Sequence, residues 1–402
     1  MKLLSRAAVS IALYAIFQLA FANEQVFAKA NISLDTVANS LAPFAKSNEF
    51  PNILEVGANQ QVSIEYTLDI DLHEHIASIY RAYKPDYAAF VAIDPDTGRI
   101  LSLTSYVKDD DYDGNFALGA TYPAASLFKI VSAAAAIDTN KVSAQTVIPF
   151  NNKSTTLYKS QVLRHKDTKY TRRMPFSEAF ARSANPIFGR LGVEYLNSDL
   201  IFKYAKKMGF GEHLTQDLPV LASQLDMTLS EEWQRAEASS GFTKDINISP
   251  VHAAAIAAAV LNDGQLLEPY VIEKAYDSSG QLVYEGKKNV AMQMFSKSTA
   301  ATIKKMMQET TRIGSARKTF SSSRRYKAFK NAEFGGKTGS LSGLTPVGRY
   351  GWFVGYGERN GKKIAYASLV VYRDKWVVRP ARVAFEVLNY VFKKSEKDVS
   401  KS

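Results

Sequence analysis

The sequence predicts an α/β fold in which an antiparallel sheet is flanked by helices and carries an inserted all-α subdomain. Strand-like runs occupy residues 62–106 and return at residues 270–372. The block between them, residues 121–264, is Ala-rich and mostly helical in period. Each strand region contains a hairpin signal, at residues 94–98 and 359–361. Strands from both ends of the chain can share one sheet if the helical block is an insertion between them.

The chain begins with the pattern of an export signal. Lys2 and Arg6 form a positive region, residues 7–20 are mainly apolar, and Ala20 and Ala22 offer a small-residue cleavage site. The apolar run is shorter than the roughly 18–20 residues that span a bilayer. We therefore predict cleavage after Ala22 and export to the periplasm or cell envelope, with no transmembrane segment left. An uncleaved anchor is the alternative.

The first strand region contains one lone strand, a helix and a hairpin. Residues 23–60 show no clear period and are predicted to be a weakly ordered lead-in. Residues 62–70 alternate between apolar and polar side chains, which predicts a half-buried strand. Asp71 is then expected to cap a helix. Residues 87–93 and 99–106 are predicted to be the two strands of the first hairpin.

The helical block and the second strand region follow. Helical periods are centred at residues 130–137, 176–191, 200–208 and 253–261, and Ser249-Pro250 marks the start of the last of these helices. The remaining predicted elements are strands at 270–276 and 282–284, a helix at 299–311, strands at 349–356 and 364–372, and a helix from 380 to about 392.

The composition excludes several classes of site. The chain has no cysteine, which excludes disulfides, thiolate metal sites, iron–sulfur clusters, a Cys nucleophile and lipid attachment through cysteine. It has five histidines, and no two are spaced i, i+4 as in a zinc-hydrolase helix. We expect no metal and no cofactor.

Charge indicates the kind of partner. Lys and Arg number 50 against 39 Asp and Glu, a net charge of +11. Outside the cytoplasm, nucleic acid is not expected as a partner, and an anionic envelope polymer or a membrane surface fits the positive charge better. Two stretches, residues 153–173 and 312–330, are strongly basic. They are interpreted either as solvated loops or as contacts with anionic cell-wall polymer.

Three short motifs carry candidate chemistry. In chain order they are Ser126-Leu127-Phe128-Lys129, Ser183-Ala184-Asn185, and Lys337-Thr338-Gly339 followed by Ser340. A serine becomes a good nucleophile only when a base removes its proton. A lysine can be that base if it is neutral, which burial and a second cation such as Lys337 would favour.

The first motif needs its context, because S-x-x-K also occurs at Ser105 and at Ser315. Ser105 is predicted to end a strand and Ser315 lies in a basic, Ser-rich loop. Only Ser126 opens an apolar helix, where one turn places Lys129 beside it. Each motif alone could be structural: an N-cap, a turn or a Gly-rich bend. The three in order indicate a catalytic set.

With these motifs the sequence resembles the transpeptidase domain of penicillin-binding proteins, in the serine, penicillin-recognising family. The resemblance covers roughly residues 61–393. Further segments that carry it are Thr67-Leu68-Asp69, residues 92–101, Tyr122-Pro123, residues 207–211, Ile248-Ser249-Pro250 and residues 352–356. One departure is Ala124-Ala125, where the family often has Pro-Gly. No glycosyltransferase or dimerisation domain is recognisable, so a free-standing module is expected. The predicted divisions are a signal (1–22), the lead-in (23–60), the transpeptidase domain (61–393, with 121–264 as its helical subdomain) and a charged tail (394–402).

The resemblance implies a role for each motif residue, as follows: Ser126 as acylated nucleophile, Lys129 as its base, Ser183 as proton relay tuned by Lys337, Asn185 for the substrate amide, and Thr338, Gly339 and Ser340 with Lys337 at the terminal carboxylate. The backbone N–H groups of Ser126 and Ser340 are expected to form an oxyanion hole. The implied fold is that of penicillin-binding proteins and β-lactamases.

Three activities are compatible with these roles. The first is a D,D-transpeptidase acting on bacterial peptidoglycan stem peptides that end in D-Ala-D-Ala, and it would also bind β-lactam antibiotics. The second is a hydrolase, either a D,D-carboxypeptidase or a serine β-lactamase. The class A motif E-x-x-L-N has only an imperfect match at Glu194, one residue short, and S-x-N disfavours class D. The third is a non-catalytic β-lactam or muropeptide sensor.

Overall fold

The computed structural model describes residues 32–57, 60–109 and 114–399, without the side chains of 397–399. The predicted signal, residues 1–22, lies outside the described residues. The α-helices are α1 (Leu34–Lys46), α2 (Ile70–Tyr83), α3 (Lys129–Asp138), α4 (Lys159–Leu163), α5 (Phe176–Arg182), α6 (Asn185–Arg190), α7 (Ser198–Lys207), α8 (Glu232–Ser240), α9 (Pro250–Leu261), α10 (Lys297–Arg312), α11 (Arg317–Phe320) and α12 (Pro380–Val399).

The strands follow the same chain order. They are β1 (Ile53–Val56), β2 (Gln60–Tyr66), β3 (Tyr87–Ile93), β4 (Ile100–Val107), β5 (Val147–Phe150), β6 (Arg172–Pro175), β7 (Gln224–Leu225), β8 (Ile246–Asn247), β9 (Gln265–Leu267), β10 (Ile272–Asp277), β11 (Leu282–Glu285), β12 (Val290–Gln293), β13 (Glu333–Leu344), β14 (Val347–Arg359) and β15 (Lys362–Tyr372).

Five strands form the central sheet, in the order β13-β14-β15-β3-β4, and all four pairings are antiparallel. The prediction that one sheet combines strands from both ends of the chain is confirmed. Both predicted hairpins are present, β3–β4 and β14–β15. β13, which carries the K-T-G motif, lies at one edge of this sheet.

The two faces of the sheet pack against different helices, as strand β3 shows. Ala89 and Val91 point into the larger core, which also contains the buried side chains of α9. Phe90 and Ala92 point into a second core with residues of α2 and α12. Because successive side chains of a strand face opposite ways, a strand buried on both faces is apolar throughout. Every residue of β3 is accordingly buried.

The prediction of a weakly ordered lead-in over residues 23–60 is wrong at residues 34–46, which form a regular helix. Ser33 caps α1 by accepting from the Thr36 N–H. Val37 and Leu41 are buried against the main core. The helix contains Pro43, and its apolar stripe is narrow. Val37, Leu41 and Ala45 nevertheless recur every four residues, so the helical period is present in the sequence.

Three predicted boundaries also differ from the structure. Strand β2 ends at Tyr66, and Asp69 rather than Asp71 caps α2, accepting from the Leu72 N–H at 3.1 Å. The helix predicted over 176–191 is interrupted at Ser183, whose φ of +58° is left-handed. The last helix continues to Val399 instead of ending near residue 392, so it includes most of the predicted charged tail. Among the described residues, no helix combines the length and apolar character needed to cross a bilayer.

Candidate active site

Ser126 lies in a 3₁₀ turn, Ala125–Phe128, that leads directly into α3. The segment before it is fixed on two sides. Trp352 of β14 donates from Nε1 to the Pro123 carbonyl oxygen at 2.9 Å, and the Ala124 N–H donates to the Ile246 carbonyl oxygen at 2.8 Å. These bonds attach the turn both to the central sheet and to the helical block.

Lys129 is fully buried and its amine contacts the Ser126 hydroxyl, with Nζ 2.8 Å from Oγ. Nζ also lies 2.8 Å from Asn185 Oδ1 and donates to the Ser240 carbonyl oxygen. The Asn185 amide is oriented by its own Nδ2, which donates to the Thr155 carbonyl oxygen at 2.9 Å, so that its oxygen faces the amine. Burial, and secondarily the charge of Lys337, hold the pKa of Lys129 well below its ordinary value.

A neutral Lys129 has a suitable arrangement for a base. A neutral amine carries two N–H groups and one lone pair. The carbonyl oxygens of Asn185 and Ser240 can only accept, so together they occupy both N–H groups. The lone pair then remains for the proton of the third neighbour, the Ser126 hydroxyl. The site can therefore activate this serine.

Lys337 is a second buried amine, placed on β13. Its Nζ donates to Ser183 Oγ at 2.9 Å and to the Thr338 carbonyl oxygen at 3.0 Å. Burial lowers its pKa to about 7. The left-handed backbone of Ser183 ends α5, and the chain turns before α6 begins at Asn185. This turn places the Ser183 hydroxyl beside Lys337. A hydroxyl beside an amine that titrates near neutrality can pass a proton.

These groups border one cavity of about 450 Å³. The predicted site residues that line it are Ser126, Ser183, Asn185, Thr338, Gly339 and Ser340. Lys129 and Lys337 are buried, and each is hydrogen-bonded to a serine of the lining. The structure thus brings all eight predicted site residues together, although they come from three separated parts of the chain.

Sequence reasoning missed other lining residues, among them Thr155, Arg182, Gly241, Phe242, Ser315, Thr319, Trp376 and Arg379. None belongs to a recognised motif. Ser315 was set aside as a loop serine, yet its Oγ lies 2.5 Å from Thr338 Oγ1. Two of the missed residues, Arg182 and Arg379, are cationic. In the described part of the chain no Asp or Glu lines the cavity, which therefore suits an anionic ligand.

Glu194, the imperfect match to a deacylating motif, is engaged elsewhere. It forms a two-pronged ion pair with Arg190, at 2.6 and 2.8 Å. It lies in a π-helical turn, Leu191–Tyr195, and it does not line the cavity. The interpretation of this segment as a helix end is confirmed.

Comparison with known proteins is consistent with this geometry. The family model described as penicillin binding protein transpeptidase domain matches residues 88–382. The chain is 25% identical over 295 residues to stage V sporulation protein D of Bacillus subtilis, covering 71% of this chain and 44% of that protein. It is 24% identical over 335 residues to the peptidoglycan D,D-transpeptidase PbpA of Mycobacterium tuberculosis, covering 72% and 62%. The chain thus spans less than two thirds of either relative.

Solved structures share the fold. The D,D-transpeptidase domain of a peptidoglycan glycosyltransferase from Eggerthella lenta matches with a TM-score of 0.67 at 22% identity, covering 83% of this chain and 84% of that one. The imipenem acyl-enzyme complex of penicillin-binding protein A from M. tuberculosis matches with a TM-score of 0.66 at 20% identity, covering 82% and 79%. The predicted fold class is confirmed by these likenesses.

Proposed function

The chain belongs to the family of penicillin-binding protein transpeptidase domains, and from this premise we propose that it is a serine D,D-transpeptidase. Its substrates are peptidoglycan stem peptides that end in D-Ala-D-Ala. The observation that carries the proposal is the buried amine of Lys129, whose lone pair is left for the Ser126 hydroxyl at the cavity wall. The related PbpA is itself named a peptidoglycan D,D-transpeptidase.

In the proposed acylation, Ser126 Oγ attacks the carbonyl carbon of the penultimate D-Ala while Lys129 accepts the hydroxyl proton. The peptide C–N bond then breaks. Ser183, hydrogen-bonded to Lys337, gives a proton to the departing amine of the terminal D-Ala. The stem peptide remains as an ester on Ser126, and free D-alanine leaves.

In the second half, the amine of a neighbouring stem peptide attacks the ester carbonyl carbon. The amine loses a proton to Ser183, which gave one up in acylation, and a new peptide bond joins the two stems. The ester C–O bond breaks as Lys129 returns its proton to Ser126 Oγ. Lys337, Thr338 and Ser340 hold the terminal carboxylate of the donor in this scheme. The cationic lining of the cavity supports that assignment, and it equally suits the carboxylate of a penicillin.

The proposal is tested first by the adduct with penicillin. Intact-protein mass should show one penicillin bound to the parent, and Ser126→Ala should form none. Ser105→Ala is the control, because Ser105 Oγ accepts from the Phe116 N–H and does not line the cavity. A Ser126→Ala protein that is still acylated at the parent rate would remove this serine from the mechanism.

A defined pentapeptide donor mixed with an acceptor amine tests the reaction itself. A transpeptidase releases D-alanine and forms a cross-linked product, which mass spectrometry identifies. Release of D-alanine with only a trimmed tetrapeptide as the other product would show a carboxypeptidase. The proposed site of action is the cell envelope, where such peptides are cross-linked, and the predicted signal at residues 1–22 would direct export there.

The basic stretches support a further part of the proposal, contact with anionic cell-wall polymer. Thr155 belongs to the first stretch, and Ser315 and Thr319 belong to the second, and all three line the cavity. Both stretches thus border the site. Charge reversal at Arg324 and Arg325 should weaken co-sedimentation with a polyanionic wall polymer at low salt. The exposed pair Lys287-Lys288, outside both stretches, is the matched control, and equal weakening by its reversal would contradict the assignment.

A further inference from the structure

Ser315 lies at the cavity wall, where its Oγ is 2.5 Å from Thr338 Oγ1. We propose that Ser315 is a positioning residue for the carboxylate pocket. Its hydroxyl donates to Thr338 Oγ1 and thereby directs the Thr338 O–H toward the terminal carboxylate of the substrate. The inference rests on the proposed function, because it requires a substrate that ends in a carboxylate.

The backbone of Ser315 is hydrogen-bonded to helix α5, which ends at Ser183. Its N–H donates to the Ala181 carbonyl oxygen at 3.0 Å, two residues before Ser183. Gly314 permits this approach, because a Cβ at that position would lie 2.2 Å from the same oxygen. Ser315 therefore bridges the last turn of α5 and strand β13. Its hydroxyl has a fixed place between the elements that carry Ser183 and Lys337.

Counting protons shows what the pair of hydroxyls can do. Two hydroxyl groups hold two protons, one of which lies in the hydrogen bond between them, so one O–H stays free to donate. A carboxylate can only accept. Its approach therefore favours the arrangement in which Ser315 donates to Thr338 and Thr338 donates to the carboxylate. A hydroxyl that accepts a hydrogen bond is also a stronger donor. Without Ser315, the Thr338 hydroxyl loses this fixed direction.

The test uses two acylating thioesters that differ only in the terminal group, a carboxylate or the matching carboxamide. For Ser315→Ala we expect kcat/KM with the carboxylate to fall about tenfold, mainly through KM, because a charge-assisted hydrogen bond is weakened. The kcat/KM of Ser315→Ala with the carboxamide should stay within about twofold of the parent's. Ser315→Thr keeps the hydroxyl and should keep the carboxylate preference.

Ser321→Ala is the matched control. Ser321 is an exposed serine that follows in the same basic stretch, and its hydroxyl donates to the Lys318 carbonyl oxygen at 3.1 Å. In a Thr338→Val background, loss of Ser315 should add no further loss of carboxylate preference, since the proposed effect passes through Thr338. Should Ser315→Ala fail to fold, Ser315→Cys replaces it, because a thiol is a weak donor. The same loss of preference is expected.

The outcomes separate this inference from the proposed function. Equal losses with the carboxylate and the carboxamide would show a merely structural role for Ser315 and overturn the inference. So would an undiminished loss in the Thr338→Val background, or full carboxylate preference in Ser315→Ala. A parent protein that forms no penicillin adduct at Ser126 would instead contradict the proposed function, and the inference would fall with it.

Discussion

The burial of Lys337 in the site lowers the free energy of unfolding at any pH where its amine is charged. Its side chain is fully buried, and burial lowers its pKa from 10.5 to about 7. Between these two pH values the unfolded chain holds a proton that the folded protein has lost, so the free energy of unfolding rises with pH across this window. Below pH 7 the buried group is charged and the penalty is fully present.

Lys337→Met should therefore stabilise the fold at acidic and neutral pH while impairing acylation. The gain in Tm over the parent is expected to be largest near pH 6 and to shrink toward pH 10.5. Thermal unfolding at a series of pH values measures it. Lys287→Met, at an exposed lysine, controls for a change of surface charge. A gain that does not vary with pH would show that the charge of Lys337 is not the cause.

The two amines also predict a bell-shaped pH dependence of penicillin acylation. The rate constant kcat/KM reports groups of the free enzyme. Lys129 must be neutral to act as a base, so the rate falls at low pH. Lys337 must be charged to hold the carboxylate, so the rate falls as pH rises above about 7. In Lys337→Met the alkaline limb should disappear.

The acid limb of Lys337→Met tests whether the charge of Lys337 contributes to the lowered pKa of Lys129. The charge of Lys337 contributes to the lowered pKa of Lys129, so its removal should raise that pKa and move the acid limb to higher pH. An acid limb that stays in place would mean that burial alone sets the pKa of Lys129. Stopped-flow acylation from pH 5 to 10 decides between these outcomes.

How far the sequence predicts the site depends on whether a residue belongs to a local pattern. Ser126 and Lys129 are one helical turn apart, and Lys337 and Thr338 are adjacent, so short motifs reveal them. Ser315 comes close to Thr338 only because the Gly314 segment packs against Ala181. Contacts of this kind depend on tertiary packing and leave no local signal.

At the scale of elements, Gly241 sets how closely α8 approaches the nucleophile turn. It ends α8 with φ of +64°, and a Cβ there would lie 1.9 Å from the Ala125 carbonyl oxygen and 3.0 Å from the Ser126 nitrogen. Any side chain would push the turn and displace Ser126. The carbonyl oxygen of the preceding residue, Ser240, accepts from the Lys129 amine. The end of α8 therefore contacts both Ser126 and Lys129, the first and last residues of the S-x-x-K motif.

Gly241→Ala should therefore abolish penicillin acylation and lower Tm by several degrees. Gly361→Ala is the matched control: its φ of +75° is also left-handed, but a Cβ there meets nothing within 4 Å. The control should lose about 1 kcal/mol of stability, from backbone strain alone, and should keep full acylation. Equal losses of acylation in both variants would show that strain rather than the clash with Ala125 matters.

The elements themselves were predictable where their pattern is regular. The apolar strands of the β14–β15 hairpin and the capped helix α9 follow strong local signals. Helix α1 was missed although Val37, Leu41 and Ala45 recur every four residues, with Pro43 within the same segment. The break at Ser183 was missed because a single left-handed residue ends one helix within a continuous helical pattern, and no local signal marks that residue.

Across the whole molecule, the site forms where edge strand β13 of the central sheet meets the inserted helical block. The sheet supplies Lys337, Thr338 and Ser340, and the block supplies Ser126 and Ser183. The Trp352 bond to Pro123 joins the two parts beside the nucleophile. The cavity is therefore an interface between two layers, and its chemistry depends on which side chains each layer presents.

No Asp or Glu among the described residues lines the cavity, which predicts a long-lived ester with penicillin. Hydrolysis of the ester needs a base that is placed to activate water. Lys129, the base of acylation, is hydrogen-bonded to the Ser126 oxygen that carries the ester. No Asp or Glu of the described residues lines the cavity as a second base, and Glu194 is paired with Arg190. The Ser126 adduct should therefore persist for minutes or longer after excess penicillin is removed, as intact-protein mass can follow. Glu194→Gln should leave its lifetime unchanged. Rapid turnover of penicillin without an adduct would contradict this reading of the cavity and indicate a β-lactamase, and a lifetime lengthened by Glu194→Gln would identify Glu194 as the base.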